Sequence, residues 1–523
     1  MGGRRLVRLV CAAVLLWLQA VAYSQPAPAP RFAIQRFVVE GNTLIPQNEV
    51  DAILAPFTGP NRDFADVQRA LEALQSAYIA RGYQAVRVVI PEQTLNSGQV
   101  RLDVVEARLR NVRVEGNRFF DSANVRASLP AVQEGAVPNT RNIGENVQLA
   151  NENPAKQVNV RLQSTPEPGK VDATLRVADQ KPTRTSVFLD NTGTSETGYY
   201  RAGIGYQNAN VGNRDQVLNL QFITSPTRVN DVKIFGAGYR IPVYAHEGMV
   251  DLIAGYSDVN SGTLQDLFNV SGSGTILAAR YTQVLPRMQD YQQKLALGWD
   301  YRDYRPNVSL VGTTGTLIPN ITVRPLTLTY SGRLSQVGSD LSLFASYAQN
   351  LPGGADGDQA AFTRRGAGDA RYAIWRFGAS YTKALPKDLL FHAALNGQYT
   401  SDQLVAEEQF GMGGVDSVRG YHERETANDI GHRASLELYS PDLGESLGTD
   451  WRARALVFTD WARGHDNPPV RVTDSALQSV GVGMQMSRGR SLSVRADLAF
   501  VQKTAGTRPD GSNMFNFVVG YSF

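Results

Sequence analysis

Few residues in this chain could do covalent chemistry. The histidines are His246, His392, His422, His432 and His465. No two have the i, i+4 spacing of a metal-binding helix, and no His-Glu-x-x-His occurs. There is no Gly-x-x-x-x-Gly-Lys-Ser/Thr phosphate loop and no Gly-x-Ser-x-Gly nucleophile elbow. The single cysteine, Cys11, sits in an apolar N-terminal run. No catalytic residue, metal or cofactor is expected, and the histidines read as rim or loop residues. What remains is electrostatic. Gly413-Gly414-Val415-Asp416-Ser417-Val418-Arg419-Gly420-Tyr421 holds one arginine among glycines, and Phe458-Thr459-Asp460 follows on an alternating strand. By composition alone the first is an exposed glycine-rich loop and Asp460 a polar strand residue.

The elements that would position these residues follow from length and pattern. At 523 residues the chain is too long for one ordinary soluble domain. Its N-terminus reads as a secretory signal, residues 1–22. Arg4, Arg5 and Arg8 precede the apolar run Leu9 to Leu18, and Ala20-Val21-Ala22 has cleavage-site character. Cys11 would leave with it, so the mature chain would carry no disulfide. Residues 23–31 are a Pro-rich, extended linker. No second run approaches the ~18 apolar residues of a spanning helix. A membrane location would therefore require a closed barrel, the only other way to satisfy backbone polar groups in lipid. Net charge is +3, which gives no reason to invoke nucleic acid.

Two similar segments follow, 32–106 and 107–179, each read as β-α-α-β-β. Val38-Val39-Glu40-Gly41-Asn42 is repeated as Val112-Arg113-Val114-Glu115-Gly116-Asn117. In the first, a strand is expected over Ile34 to Val39, a short helix over Asn48 to Leu54 and a longer helix over Asp63 to Arg81. Phe64, Val67, Leu71, Leu74 and Tyr78 would share one face of that helix, with Gly82 at its C-terminal cap. Strands at Ala85 to Ile90 and Gln99 to Val105 close the unit. In the second, helices are expected near Ser122 to Ser128 and Thr140 to Ala150. Its closing strands are Gln157 to Gln163 and Lys170 to Val177.

From about Thr183 helical periodicity gives way to period-two alternation. Ala202, Ile204 and Tyr206 alternate with glycine and polar residues, as do Leu218, Leu220 and Phe222, and Leu295, Leu297, Trp299 and Tyr301. About 16 strands can be counted over residues 180–523. An apolar exterior with a small or polar interior is the signature of a transmembrane β-barrel. A soluble sandwich would carry a more charged and less glycine-rich second face. Gly at 48 and Tyr at 21 suit barrel turns and an interfacial aromatic girdle. The final strand places Phe515, Phe517, Val519, Tyr521 and Phe523 on one face. The expected fold is thus a membrane β-barrel behind two small α+β modules.

These motifs resemble the outer-membrane BamA/TpsB transporter superfamily. The resemblance rests on Val418-Arg419-Gly420-Tyr421 between the eleventh and twelfth strands and on Phe458-Thr459-Asp460 on the thirteenth. The β-α-α-β-β repeats look like POTRA domains, and two of them before a sixteen-strand barrel is similar to the TpsB branch, the transporters of two-partner secretion. Leu189-Asp190-Asn191-Thr192-Gly193 also looks like this branch. The resemblance covers nearly the whole mature chain. It implies that the loop folds into the barrel and that Arg419 meets Asp460 there, where a bidentate carboxylate would offset the cost of a confined charge. It further implies a tight turn at Gly420, packing of Tyr421 on the wall, and recognition of Tyr521 and Phe523 by the barrel assembly machinery. Some members carry a helix that plugs the barrel; the residues between Ala22 and Phe32 are too few and too proline-rich for one.

The implied partner is a large secreted exoprotein, an adhesin, haemolysin or toxin, delivered unfolded, with activation of that partner a further possibility in the family. The other surroundings are outer-membrane lipid and the periplasm, and a monomer is expected. The candidate docking groove lies between the strand carrying Val86 and Val88 and the helix carrying Leu74 and Tyr78. In the competing reading the two valines are module core. Rival functions are a barrel-assembly factor, a passive porin and an outer-membrane enzyme. A porin has no use for two periplasmic modules.

Overall fold

The structure is a computed structural model. It describes residues 30–94, 97–194, 197–257, 263–264, 268–269, 273–305, 319–446, 448, 450–468 and 474–523. The expected leader, most of the linker and the segment where a plug helix was not expected lie outside these residues. By contact density the chain divides into two units. One is residues up to 110 with 134–140 and 164–171; the other is 111–133, 141–163 and 172–523.

The first module opens with β1 (Phe32–Ile34) and β2 (Arg36–Glu40). The single strand expected here is therefore two. Gln35 N–H donates to the Gly98 carbonyl at 2.7 Å, and after it the chain changes partners. Helix α1 (Gln47–Leu54) leads to β3 (Gly59–Arg62), a strand the alternation did not announce, which pairs antiparallel with β1. Helix α2 (Phe64–Ala80) follows, its N-terminus fixed by a capping box in which Asp63 and Asp66 each accept the other's backbone N–H. Val67, Leu74 and Tyr78 are buried and Leu71 packs against the same core, but Phe64 is exposed. Phe64 is the first helical residue, where the chain has not yet turned its apolar face inward. β4 (Val86–Val89) and β5 (Gln99–Glu106) complete a sheet of order β2-β5-β4, with β2 parallel to β5.

The second module repeats the plan. β6 (Arg108–Glu115), α3 (Ser122–Ala127), α4 (Thr140–Ala150), β7 (Lys156–Ser164) and β8 (Lys170–Asp179) form a sheet of order β6-β8-β7. The repeated Glu-Gly-Asn has one physical purpose in both. Gly41 and Gly116 have φ of +79° and +87°, and a Cβ there would stand 2.3 and 2.4 Å from the carbonyls of Val104 and Val177. Only glycine lets the chain turn so close to the next strand. The N–H groups after each turn converge on one carboxylate: Glu106 in the first module, Asp179 in the second.

The barrel strands are β9 (Thr183–Asp190), β10 (Arg201–Val211), β11 (Gln216–Thr224), β12 (Lys233–Val243), β13 (Gly248–Ser257), β14 (Gly274–Met288) and β15 (Tyr291–Tyr304). β16 comes in two pieces, Ile321–Val323 and Pro325–Gln336, both paired with β15. After β17 (Ser339–Asn350) a short helix α5 (Gln359–Arg364) precedes β18 (Ala373–Ala384) and β19 (Leu390–Tyr399). The remainder is β20 (Ile430–Tyr439), β21 (Trp451–His465), β22 (Asp474–Arg488), β23 (Leu492–Val501) and β24 (Asn513–Ser522). All are antiparallel, and β24 pairs with β9 to close a barrel of sixteen strands. Ile204, Leu220, Leu297, Trp299 and Trp375 are exposed on the outside, as an apolar band facing lipid must be.

Candidate functional site

The glycine-rich stretch lies between β19 and β20 and folds into the barrel rather than away from it. Two three-residue strands, Phe410–Met412 and Thr426–Asn428, pair as its stem. Beyond them the chain turns at Gly413-Gly414 and presents Val418, Arg419, Gly420 and Tyr421 to the inner wall. All of Val418, Arg419 and Tyr421 are buried.

Arg419 makes a two-pronged contact with Asp460 of β21, Nε to Oδ2 at 2.7 Å and Nη2 to Oδ1 at 2.7 Å. Its own backbone N–H donates to the same carboxylate at 3.1 Å. The register of β20 against β21 sets Ser435 directly opposite Asp460 and Glu437 opposite Phe458. Ser435 Oγ donates to Asp460 at 2.6 Å, and Glu437 pairs with Arg419 Nη1 at 2.7 Å. Phe458 presents its ring face to the guanidinium, 3.4 Å from Cζ to the ring centroid. On β23, Asp497 lies 4.0 Å from Arg419 and 2.7 Å from Arg495, which also faces Glu437 at 3.6 Å. Two guanidiniums and three carboxylates thus meet in one confined place. Removing the Arg419 guanidinium leaves buried carboxylates without their counter-charge, which costs about 3–5 kcal/mol.

Gly420 has φ +94°, and a Cβ there would stand 3.3 Å from both Ala499 and Val501. Arg508 Nε donates to its carbonyl at 3.0 Å. The Tyr421 hydroxyl donates to the carbonyls of Gln478 and Lys503 and accepts from the Gln478 N–H at 3.1 Å. Beneath it Val418, Tyr421, Met412, Ala462, Leu477 and Val501 form an apolar cluster.

Ser435, Glu437, Arg495 and Asp497 escaped the sequence reading. The signal was available. Leu436 and Leu438 between them are exposed to the outside, so a charge on the opposite parity of the same strand must face the lumen.

At the closing seam, Phe523 exchanges backbone hydrogen bonds with Thr185. Asn191, in the stretch after β9, continues the seam with its side chain: Nδ2 donates to the Phe515 carbonyl at 2.7 Å and Oδ1 accepts from the Phe517 N–H at 2.8 Å. Tyr521 and Phe523 project outward, ring centroids 6.1 Å apart.

The first-module groove needs correcting. Val86, Val88, Leu74 and Tyr78 are all buried in the module core. Period-two alternation on an edge strand backed by a helix sends these side chains inward, so the competing reading holds and they offer no pockets to a partner. Tyr78 donates to Asn42 Oδ1 at 2.5 Å, and burial pushes its phenol up to about 12. What the edge of β4 does present is Arg87 and Val89, with the Val88 N–H held by Gln75 at 3.3 Å.

Among the described residues, no cluster of three or more His, Cys, Asp or Glu side chains suits a metal ion. Residues 169–486 match the family model of haemolysin secretion/activation protein ShlB/FhaC/HecB, and residues 32–107 match the ShlB-type POTRA domain. The outer membrane transporter CdiB of Escherichia coli is 25% identical over 474 residues, 88% of this chain and 77% of that protein. The heme/hemopexin transporter protein HuxB of Haemophilus influenzae is 19% identical over 492 residues, 91% of this chain and 84% of that protein. The solved structure of CdiB from Escherichia coli superposes with a TM-score of 0.77 at 22% identity, covering 96% of this chain and 92% of that one. CdiB from Acinetobacter baumannii gives 0.71 at 14%, covering 99% and 97%.

Proposed function

Since the chain belongs to the ShlB/FhaC/HecB family of outer-membrane transporters of two-partner secretion, with POTRA modules in the periplasm, we propose that the Val418–Tyr421 loop is its gate. The observation that carries this is the buried Arg419–Asp460 pair on the inner wall. With the pair made, the loop occupies the lumen. Transit of a polypeptide requires the guanidinium to leave its carboxylates, a cost that wall-bound partners make large enough to keep the channel shut at rest.

The cargo is a large exoprotein, an adhesin, haemolysin or toxin, arriving unfolded in the periplasm and bound there by residues 32–106 and 107–179 before residues 180–523 conduct it. Docking is by main-chain pairing: an extended segment adds to the outer edge of β4 and takes over the Val88 N–H that Gln75 now holds. No step uses a nucleotide; folding of the cargo outside supplies direction. Tyr521 and Phe523 form the signal read by the assembly machinery, and the transporter works as a monomer.

Culture supernatants of cells with the chain, without it, and with Arg419→Ala test the reading. One large protein is expected to vanish without the chain, and its export through the variant, whose loop is no longer pinned to the wall, is expected to differ from that through the unaltered chain. Unchanged secretion alongside a decline of many barrel proteins would overturn export in favour of barrel assembly.

A further inference from the structure

The inward loop is held at two places, and the sequence pointed to only one. Its root, close to where the chain leaves β19 and rejoins β20, is built of carboxylates. Glu408 is buried, and its Oε1 takes Arg302 Nη1 of β15 at 2.8 Å and the Tyr304 hydroxyl at 3.3 Å. Its Oε2 takes Arg376 Nη2 of β18 at 3.4 Å. Glu407 pairs with Arg365, just after α5. Asp429, wholly buried, accepts the Leu404 N–H at 3.0 Å, Gln409 Nε2 at 3.1 Å and the Asn467 N–H at 2.9 Å. Gln398 ties the two limbs together, its Nε2 donating to the carbonyls of Glu408 and Asp429. Leu404 and Val405 add apolar packing with Tyr304, Phe362, Tyr372 and Ile374.

Root and tip hold different parts of the wall. The root grips β15 and β18, the seventh and tenth barrel strands, and takes the N–H of Asn467 just past β21. The tip grips β20, β21, β22 and β23, the twelfth to the fifteenth. Between them the chain has left-handed backbone on both limbs: Gly413 and Gly414 at +104° and +108° going in, Arg424 at +52° coming out. A few such residues can absorb a large change of φ and ψ. The tip is also braced within itself, with the Val415 N–H donating to Glu423 Oε1 at 2.9 Å and the Ser417 N–H to the Gly414 carbonyl at 3.1 Å. It can therefore move as one piece.

We propose that the root is a fixed pivot and that Glu408 is the positioning residue that sets where the tip lands, so that the stroke is confined to residues between Gly413 and Arg424. Withdrawing the whole loop would break every carboxylate contact of the root in addition to those of the tip. A hinge breaks only the second set. The inference rests on the reading of the loop as gate, and its test separates the two.

The chain's one cysteine is Cys11, so a signal-processed protein with paired substitutions carries only the introduced thiols. The full chain, purified and placed in planar lipid bilayers in potassium chloride, is bridged with a short cleavable bis-maleimide. Bridging Glu407→Cys to Arg365→Cys at the root is expected to leave opening frequency where it stands in the same double variant before bridging. Bridging Val418→Cys to Leu477→Cys at the tip is expected to abolish openings until the linker is cut. A root bridge that also silences the channel overturns the pivot. A tip bridge without effect overturns the gate itself.

A second measurement does not depend on bridging. Arg419→Ala is expected to raise the open-to-closed ratio about tenfold or more, the worth of a charge-assisted hydrogen bond or two. Glu408→Gln, still heat-modifiable on gels and so still a folded barrel, should raise it less. If Glu408 acts through Arg419, the double variant matches Arg419→Ala alone. Multiplying effects would mean two independent sites and would overturn the positioning role.

Discussion

The edge strand of each periplasmic module opens with an inward-facing residue after an alanine. In the first module that residue is Val86, packed in an apolar core with Leu74, Tyr78 and Leu102. In the second it is Lys156, equally buried, and its ammonium pairs with Asp215 in the turn between β10 and β11. Asn124 Oδ1 accepts from the same ammonium at 3.2 Å, and the Phe120 ring centroid lies 5.2 Å away. Tyr244 donates to Asp215 at 2.6 Å. Asn124 and Asn153 donate to the carbonyls of Asn213 and Ala209 at 2.9 and 2.7 Å. One scaffold has thus been put to two uses. The first module fills that place with a valine in an apolar core, against which Val137 of the second module also packs. The second puts a charge in that place and completes it with a carboxylate of the barrel, so residues 111–133 and 141–163 fold as one unit with the barrel.

The largest effects should come from exchanging the two solutions. Val86→Lys places a charge in the first core with no carboxylate to meet it, and unfolding of that module by several kcal/mol is expected. Hydrogen exchange on the full chain would show loss of protection over residues 64–106 and none over the barrel; retained protection would mean that the first core tolerates what only the second was built for. Asp215→Asn strands Lys156, a cost of about 3–5 kcal/mol that should appear as early thermal loss of protection over residues 122–163. Adding Lys156→Met should return most of it, because an apolar side chain of similar volume often replaces a buried ion pair without loss.

Where the modules agree, substitutions should agree. Gly41→Ala and Gly116→Ala each push a methyl into a backbone carbonyl at a positive φ, and each is expected to cost at least ~1–2 kcal/mol from φ alone, by similar amounts in the two modules. Unequal protection losses would show that the turns only look alike.

The smallest effect is an alkaline one. The Tyr78 phenol is raised from 10 to about 12 in the fold, so folding favours its protonated form. That contribution is complete below pH 10 and is lost as pH climbs toward 12. The second module contains no tyrosine, so the step belongs to the first alone and should disappear in Tyr78→Phe. Exchange measured across that window checks it.

How much could be read beforehand varied with the range of the interaction. Helix α2 is legible to within one residue at each end, since a 3.6-residue apolar period is a local signal, and helix α4 falls at the residues expected for it. The split of the first strand at Gln35, the extra β3 and the exposure of Phe64 were not legible, because each depends on which neighbour the chain meets. The loop motif marked Arg419 and Asp460. It said nothing of Glu437, Asp497 or the root at Glu408, whose partners Arg302 and Arg376 lie 106 and 32 residues earlier in the chain and reach it only through the barrel's closure.

By itself the sequence determined the class of object: a period-two chain long enough to close and two repeated modules; that Arg419 meets Asp460 was only what the family resemblance implied. A strand's parity decides inside from outside, and parity is written in adjacent residues. The tertiary structure decided everything that depends on closure. Only a closed sheet brings the wall of β15 and β18 within reach of the same loop that touches β21, and only the docked second module gives Lys156 its counter-charge. The physical reason is the same in both cases. A buried charge is tolerable only beside its partner, and nothing along the chain says which distant strand will supply it.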